Sequence, residues 1–222
     1  MVHLIFYLFF INLIIFSYPA LAAQGPHLSE AASVPAERSL KDNPTLKEFG
    51  ILTGYANTNA ADKDDYVTLP MIFRLGIDFD KYGLGFSDWF QRGAKFFFHK
   101  DYRPAGTTEF LIEPFVSYVP SPDTNAEAGL VLLFKYAWPV TERFHPYIFN
   151  GGGVMYTTQH LREQSTQWNF TPQMGAGFSY FLNKNQALNV EFRYRHFSNA
   201  NRKLPNDGIN QNFILAGISW FY

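Results

Sequence analysis

The sequence predicts an all-β protein, an eight-stranded antiparallel transmembrane β-barrel, and three observations support this class. Aromatic residues make up 18% of the 222 residues and charged residues only 17%, yet mean hydropathy is −0.14. From residue 45 onward, apolar and polar residues alternate with a period of two. Strands with one face on lipid and the other on a polar interior show this alternation. The last such segment ends on an aromatic residue, Tyr222.

Composition excludes several other classes of protein. The formal net charge of −1 leaves no broad basic face, so no nucleic-acid partner is expected. The chain has no cysteine, which excludes disulfides, thiolate zinc sites and cysteine nucleophiles. The histidines are scattered without the spacing of metal ligands, so no metal and no cofactor is predicted.

The N-terminus is predicted to be a targeting segment. Residues 4–18 are almost wholly apolar, Pro19 then interrupts any helix, and Ala20-Leu21-Ala22 has the small residues that signal peptidase reads. The start carries no Lys or Arg, which leaves an uncleaved membrane anchor as the alternative. The predicted domains are a signal peptide over 1–22, a flexible periplasmic lead-in over 23–44, and the barrel over 45–222.

Eight segments combine the period of two with a length that can cross a bilayer. They cover 46–58, 66–79, 108–119, 127–139, 146–158, 167–182, 187–199 and 209–222. An even number of strands places both termini on the periplasmic side. The segment 80–107 is too long for a periplasmic turn, and we expect either an interfacial insertion or extensions of the flanking strands. A soluble β-sandwich would also alternate, but it does not explain the targeting segment, the strand lengths and the aromatic terminus together.

In segment 187–199, the alternation places two reactive side chains on one face. Arg193 and Arg195 must point into the barrel, because an arginine on the lipid face costs roughly 2–4 kcal/mol at mid-bilayer. His196 and Ser198 then share the lipid-facing side near the outer rim. Their Cα atoms are expected about 7 Å apart, close enough for an imidazole to activate a hydroxyl as a nucleophile. The alternative is that both groups lie among lipid headgroups without a role.

The segment that follows carries a resemblance to a known family. Residues 196–209 read HFSNANRKLPNDGI, which resembles the signature of the PagL-type lipid A 3-O-deacylases, the acyloxyacyl-hydrolase family of outer-membrane β-barrels. Similarity covers most of 108–222. It implies a barrel in the outer membrane of a Gram-negative cell that removes the ester-linked 3-position acyl chain of lipid A. The implied partners are lipopolysaccharide and outer-membrane lipids, and the oligomeric state stays open, with a homodimer as one candidate.

The resemblance also implies roles for individual residues. Ser198 corresponds to the nucleophile and His196 to the general base. The oxyanion donors are expected in the turn that follows, and the candidates are Asn199, Ala200, Asn201 and Asn206. The family's third triad member is a glutamate after the Gly-Ile pair, and here that position is Asn210. An amide can orient an imidazole but cannot stabilise its positive charge, and Asp207 is the nearest alternative acid.

Three functions follow from these observations. We predict an esterase in which Ser198 attacks the acyl carbonyl and water later hydrolyses the acyl-enzyme. The alternatives are a catalytically weak or inactive family member that acts as a structural barrel, and a small pore. A pore is disfavoured, because side chains just fill the lumen of an eight-stranded barrel. Glu191 is expected to lie in that lumen and to pair with Arg193, Arg195 or Arg74.

Overall fold

The computed structural model describes residues 46–58, 66–99, 101 and 103–222. The predicted signal peptide 1–22, the lead-in 23–44 and residues 59–65, between the first two predicted strands, lie outside the described residues. The strands are β1 (Leu46–Thr58), β2 (Val67–Asp78), β3 (Thr107–Ser121), β4 (Asn125–Ala137), β5 (Phe144–Thr157), β6 (Trp168–Phe170), β7 (Gln173–Asn183), β8 (Gln186–Phe197) and β9 (Ile209–Phe221). A 3-10 turn over Asp80–Tyr82 and the α-helix α1 over Phe86–Phe98 lie between β2 and β3. None of the helices in this part of the chain is long and apolar enough to span a membrane.

The strands form one closed antiparallel sheet. Consecutive strands pair with one another except β6 and β7, and β1 closes the ring by pairing with β9 along its length. The short β6 and the longer β7 follow one another between β5 and β8, so together they occupy one position in the wall. The wall therefore has eight positions and no free edge, which confirms the predicted barrel.

The sixth predicted strand, 167–182, is divided, which corrects the prediction of one continuous strand. Its break lies at Thr171 and Pro172, because proline has no N–H to donate to the ladder. The wall nevertheless stays closed there. Thr171 exchanges two backbone hydrogen bonds with Gly153 (2.9 and 3.2 Å), and the Pro172 carbonyl accepts the N–H of His196 (3.0 Å). The bounds of the other seven strands agree with the predicted ones to within two residues.

Segment 80–107 is an insertion and not an extension of the flanking strands. β2 ends at Asp78 and β3 begins at Thr107, with the 3-10 turn and α1 between them. β1 starts at one end of the barrel, at Leu46, and the antiparallel β2 returns the chain to that end. α1 therefore lies at the end of the barrel where β1 begins and β9 finishes. The residues around His196 lie at the opposite end.

Buried ion pairs fill the middle of the lumen. Arg74 donates from Nε to Glu113 (2.7 Å) and from Nη2 to Glu191 (2.5 Å). Arg193 donates to the same two carboxylates, each at 2.7 Å. The four side chains are 0–2% exposed, so the two cations and the two carboxylates neutralise one another inside the wall. The predicted inward pairing of Glu191 is therefore observed, with Arg74 and Arg193 as its partners.

Two further buried cations form ion pairs on either side of this cluster. Arg195 does not contact Glu191 but holds Glu127 through two hydrogen bonds of 2.7 and 3.0 Å. Lys135 lies 2.5 Å from both Glu48 and Glu109. Alternating apolar side chains such as Leu111, Phe197 and Phe213 pack between the charged groups. The lumen of the described barrel is thus occupied by side chains, as an eight-stranded wall requires.

We expect Arg74→Met to lower the free energy of unfolding by about 3–5 kcal/mol, because it leaves the buried carboxylates of Glu113 and Glu191 without one of their two cations. Urea unfolding of the protein in phospholipid vesicles, followed by tryptophan fluorescence, measures this loss. The matched control is Arg143→Met, since Arg143 is exposed in the turn before β5 and its removal should have little effect. Equal stability of the two variants would contradict a structural role of the network.

Candidate active site

His196 lies near the outer end of β8 and faces the outside of the barrel. Its neighbours Arg195 and Phe197 are buried in the lumen, and adjacent residues of a strand point to opposite faces. Across the sheet, His196 pairs with Asn210 of β9. Directly opposed residues share a face, so the imidazole and this amide lie together on the lipid-facing side.

Ser198 follows β8 directly and lies on the same outer face. It exchanges two backbone hydrogen bonds with Phe170 of β6 (2.8 and 3.0 Å), and the two residues form an antiparallel bridge. The Phe170 ring is exposed on the outside of the barrel, and opposed residues share a face. The bridge to the short β6 therefore places Ser198 on the lipid-facing side. Ser198 is 9% exposed there.

The His196 ring is held in place by Asn210. Its Nδ1 lies 2.7 Å from Oδ1 of Asn210. With the amide oxygen as the acceptor, this contact suits the tautomer in which Nδ1 donates. Nε2 is buried and has no hydrogen-bond partner among the described residues, so no hydrogen bond to Ser198 is formed. Nε2 is therefore a shielded ring nitrogen that no other described protein group uses.

Gly208 packs against the imidazole, a contact to which sequence reasoning assigned no role. A Cβ at this position would lie 2.4 Å from Cε1 of His196, and the residue has a positive φ of 70°. Glycine suits this position for two reasons: it adopts a positive φ without strain, and it has no Cβ to overlap the ring. The Asp207-Gly208 pair was a signal for a turn, but the ring above it could not be read from the sequence.

Asparagines brace the turn between Ser198 and β9. The Asn199 N–H donates to Oδ1 of Asn206 (2.9 Å), and Nδ2 of Asn206 donates to Asn201 (2.9 Å). Nδ2 of Asn199 donates to the carbonyl of Lys203 (2.7 Å). Of the predicted oxyanion donors, the backbone N–H of Asn199 and the Asn206 amide are therefore engaged in holding the turn.

The other two candidate donors have free backbone N–H groups. Ala200 and Asn201 both have positive φ, at 56° and 61°, a conformation that is costly for alanine and that asparagine tolerates better. In the described part of the chain, neither backbone N–H has a recorded hydrogen-bond partner. Strained residues of this kind often occur at functional sites.

Asp207, the predicted alternative acid, is not brought to the imidazole. Its side chain is exposed, and its backbone N–H donates to the carbonyl of Glu163 (3.0 Å) in the neighbouring outer loop. The Nδ1 side of His196 is occupied by Asn210 instead. Of the two candidate orienting groups, the structure places only the amide next to the ring.

Aromatic side chains and one cation surround the pair. The rings of Trp168 and Tyr156 are exposed on the outer wall beside Phe170, with their centroids 5.3 Å apart. The guanidinium of Arg202 lies over the Phe170 ring at 4.9 Å. No group of His, Asp or Glu side chains in the described residues could hold a metal ion. The site thus combines a base and a hydroxyl with an apolar surface and a positive charge.

A closed eight-stranded wall with an apolar exterior and an ion-paired lumen defines a small outer-membrane β-barrel. The comparisons identify the family. The sequence profile of the lipid A 3-O-deacylases (PagL) matches residues 80–219, more than half of the chain, and the protein belongs to this family. It is an outer-membrane protein. A search of curated proteins found no match.

Solved structures agree with this fold. The crystal structure of the outer-membrane enzyme PagL is 19% identical and superposes with a TM-score of 0.52, covering 77% of this chain and 97% of the other. The crystal structure of Neisserial surface protein A is 12% identical with a TM-score of 0.55, covering 79% and 96%. At these identities the likeness concerns the fold.

We expect Gly208→Ala to displace the His196 ring, because the new Cβ overlaps it. Solution NMR of the imidazole nitrogens in detergent measures the displacement as a changed Nδ1 resonance. Gly83→Ala is the matched control, since Gly83 has a similar φ of 65° but no atom within 4 Å of the added Cβ. Both variants should lose about 1–2 kcal/mol of stability through backbone strain. An unchanged imidazole signal in Gly208→Ala would contradict the positioning role.

Proposed function

We propose that this protein is a lipid A 3-O-deacylase, a serine esterase that works in the outer leaflet of the outer membrane. The observation that carries the proposal is the His196 ring, whose Nδ1 is held by Asn210 at 2.7 Å, on the same outer face of the wall as Ser198, two residues further along the chain. Membership of the family supports lipid A as the substrate. The position of both side chains on the lipid-facing wall suits a substrate that arrives laterally through the membrane.

In the proposed reaction, Ser198 is the nucleophile and His196 the general base. Oγ of Ser198 attacks the carbonyl carbon of the 3-position ester while Nε2 of His196 takes its proton. The tetrahedral intermediate collapses with cleavage of the bond to the sugar oxygen, which receives the proton from the imidazolium. Water then attacks the acyl-enzyme with the same base, releasing the fatty acid and regenerating the serine hydroxyl.

The developing oxyanion needs hydrogen-bond donors close to Ser198. The backbone N–H groups of Ala200 and Asn201 are the candidates, because they have no partner among the described residues and the braced turn fixes their positive-φ conformation. One such donor typically contributes about 2.7–4 kcal/mol to transition-state stabilisation. The Asn199 and Asn206 amides contribute indirectly, by holding the turn that presents these groups.

The surroundings of Ser198 suit an amphipathic anionic lipid. The exposed rings of Phe170 and Trp168 offer an apolar surface to an acyl chain on the lipid side. Arg202, above Phe170, has no carboxylate partner among the described residues. A guanidinium in this position can pair with a phosphate of the lipid A headgroup.

A second candidate function is that of an inactive family member that serves as a structural barrel. Two observations favour it: the amide of Asn210 stands where the family has an acid, and no hydrogen bond joins His196 to Ser198. Catalytic hydrogen bonds are often long before substrate binds, and cysteine proteases use an asparagine to orient their histidine. We therefore favour an active but slower enzyme.

We expect Ser198→Ala to abolish deacylation, because no other side chain can form the acyl-enzyme. Mass spectrometry of lipid A from expressing cells should show loss of one 3-position acyl chain with the unchanged protein and none with the variant. Ser121→Ala is the control, since Ser121 lies at the same end of the barrel, at the end of β3. Identical lipid A profiles for the unchanged protein and Ser198→Ala would refute the esterase.

Asn210→Glu is expected to raise the rate, because a carboxylate at 2.7 Å from Nδ1 would stabilise the imidazolium that forms during the reaction. Replacing an acid by its amide costs about 10⁴ in turnover in serine proteases, so a gain of about tenfold or more is expected. Turnover of purified protein on detergent-dispersed lipid A measures it, with Asn212→Glu, one step further along the same face of β9, as control. A fall in rate would show that the amide itself is the working orienter.

A further inference from the structure

Helix α1 packs on the outside of the barrel wall. Thr108 of β3 pairs with Tyr136 of β4, and its neighbour Glu109 lies in the lumen, so Thr108 belongs to the outer face. It is nevertheless only 6% exposed, because the helix covers it. The Phe86 N–H donates to Oγ1 of Thr108 (2.7 Å), and the rings of Phe86 and Tyr136 meet edge to face at 5.0 Å. The helix therefore lies beside the wall and not across the mouth of the lumen.

The helix is continuous with the lipid-facing rim of the barrel. Just before it, Phe79 stacks on Phe110 at 5.3 Å and meets Phe134 edge to face at 5.6 Å, and both partners lie on the outer face. These aromatic residues lie at the end of the barrel where β1 begins and β9 finishes. In barrels with an even number of strands, this end is periplasmic, so α1 lies at the level of the inner leaflet.

The helix has three distinct faces. At about 100° per residue, residues seven apart lie on nearly the same line along a helix. Ser87 and Ala94 form the buried line that contacts the barrel, whereas Trp89 and Phe96 form an outward line and are 53% and 76% exposed. Phe97 extends the outward apolar face. The polar face consists of Asp88, Gln91, Arg92 and Lys95.

These faces match the three surroundings of a helix lying at a membrane interface. One side touches the barrel, a second is apolar and exposed among the residues that the structure describes, and the third carries charges. The 13 residues of α1 span roughly 20 Å, too little to cross a bilayer of about 30 Å. Arg92 and Lys95 place positive charge where lipid phosphates would lie, while Asp88 is already paired with Arg103 (3.0 Å).

We propose that α1 is an interfacial anchor that inserts Trp89, Phe96 and Phe97 among the acyl chains of inner-leaflet phospholipids. The helix lies parallel to the membrane plane, with its polar face toward the periplasm and its cations at the phosphate level. It fixes the depth of the barrel at the end opposite to His196. The anchor is independent of the proposed esterase activity.

Site-directed spin labelling tests this placement, because the chain has no cysteine of its own. Single-cysteine variants Phe96→Cys and Lys95→Cys are labelled with a nitroxide and folded as the full barrel into vesicles of phosphatidylethanolamine and phosphatidylglycerol. Collision rates with oxygen, which concentrates in lipid, and with a water-soluble nickel chelate are measured by electron paramagnetic resonance. The oxygen-to-nickel ratio at Phe96 should exceed that at Lys95 several-fold.

Two reference labels calibrate the result. Ile214→Cys on the lipid-facing wall gives the value for lipid, and Lys184→Cys in the turn between β7 and β8 gives the value for water. A resistant, heat-modifiable band in gel electrophoresis shows that each variant is folded. A Phe96 label as accessible to nickel as the Lys184 label overturns the proposal. A Phe96 label shielded from both reagents also overturns it, since the face would then be covered by protein.

Discussion

The structure depends on the burial of charge in the lumen. Arg193 and Arg195 cannot face lipid, and each finds its carboxylate inside the barrel, at Glu113 and Glu127. Because these two side chains point inward and adjacent residues of a strand point to opposite faces, His196, next to Arg195, must lie on the outer face. The placement of a base and a hydroxyl against the membrane is therefore a consequence of how the lumen is neutralised.

The site is positioned by the backbone as much as by side chains. The break at Pro172 lets β6 pair with the residue after β8, and this pairing fixes Ser198 on the outer wall. Gly208 then limits the His196 ring from one side, while Asn210 holds Nδ1 from the other. An amide in that place orients the ring but adds no charge, which sets the expected rate below that of a triad with a carboxylate.

The alternation of apolar and polar residues was sufficient to predict which face of the wall each strand residue occupies. The alternation predicted seven of the eight strands, the inward arginines and the outward His196, because a period of two determines the face, but it did not predict the break at Pro172. Helix α1 could not, since its phenylalanine run suits a strand as well as a helix. The partner of Arg195 and the use of the Asn199 N–H by Asn206 were also out of reach. They depend on which side chains the closed ring brings together across many residues.

The central claim is that Ser198 is a nucleophile activated by His196, and covalent labelling tests it most directly. The folded protein in lipid vesicles is treated with a long-chain alkyl fluorophosphonate, and the modified residue is located by peptide mass spectrometry. The account predicts one modified serine, Ser198, and loss of the modification in His196→Ala. No modification of Ser198, or equal modification without the imidazole, would contradict it.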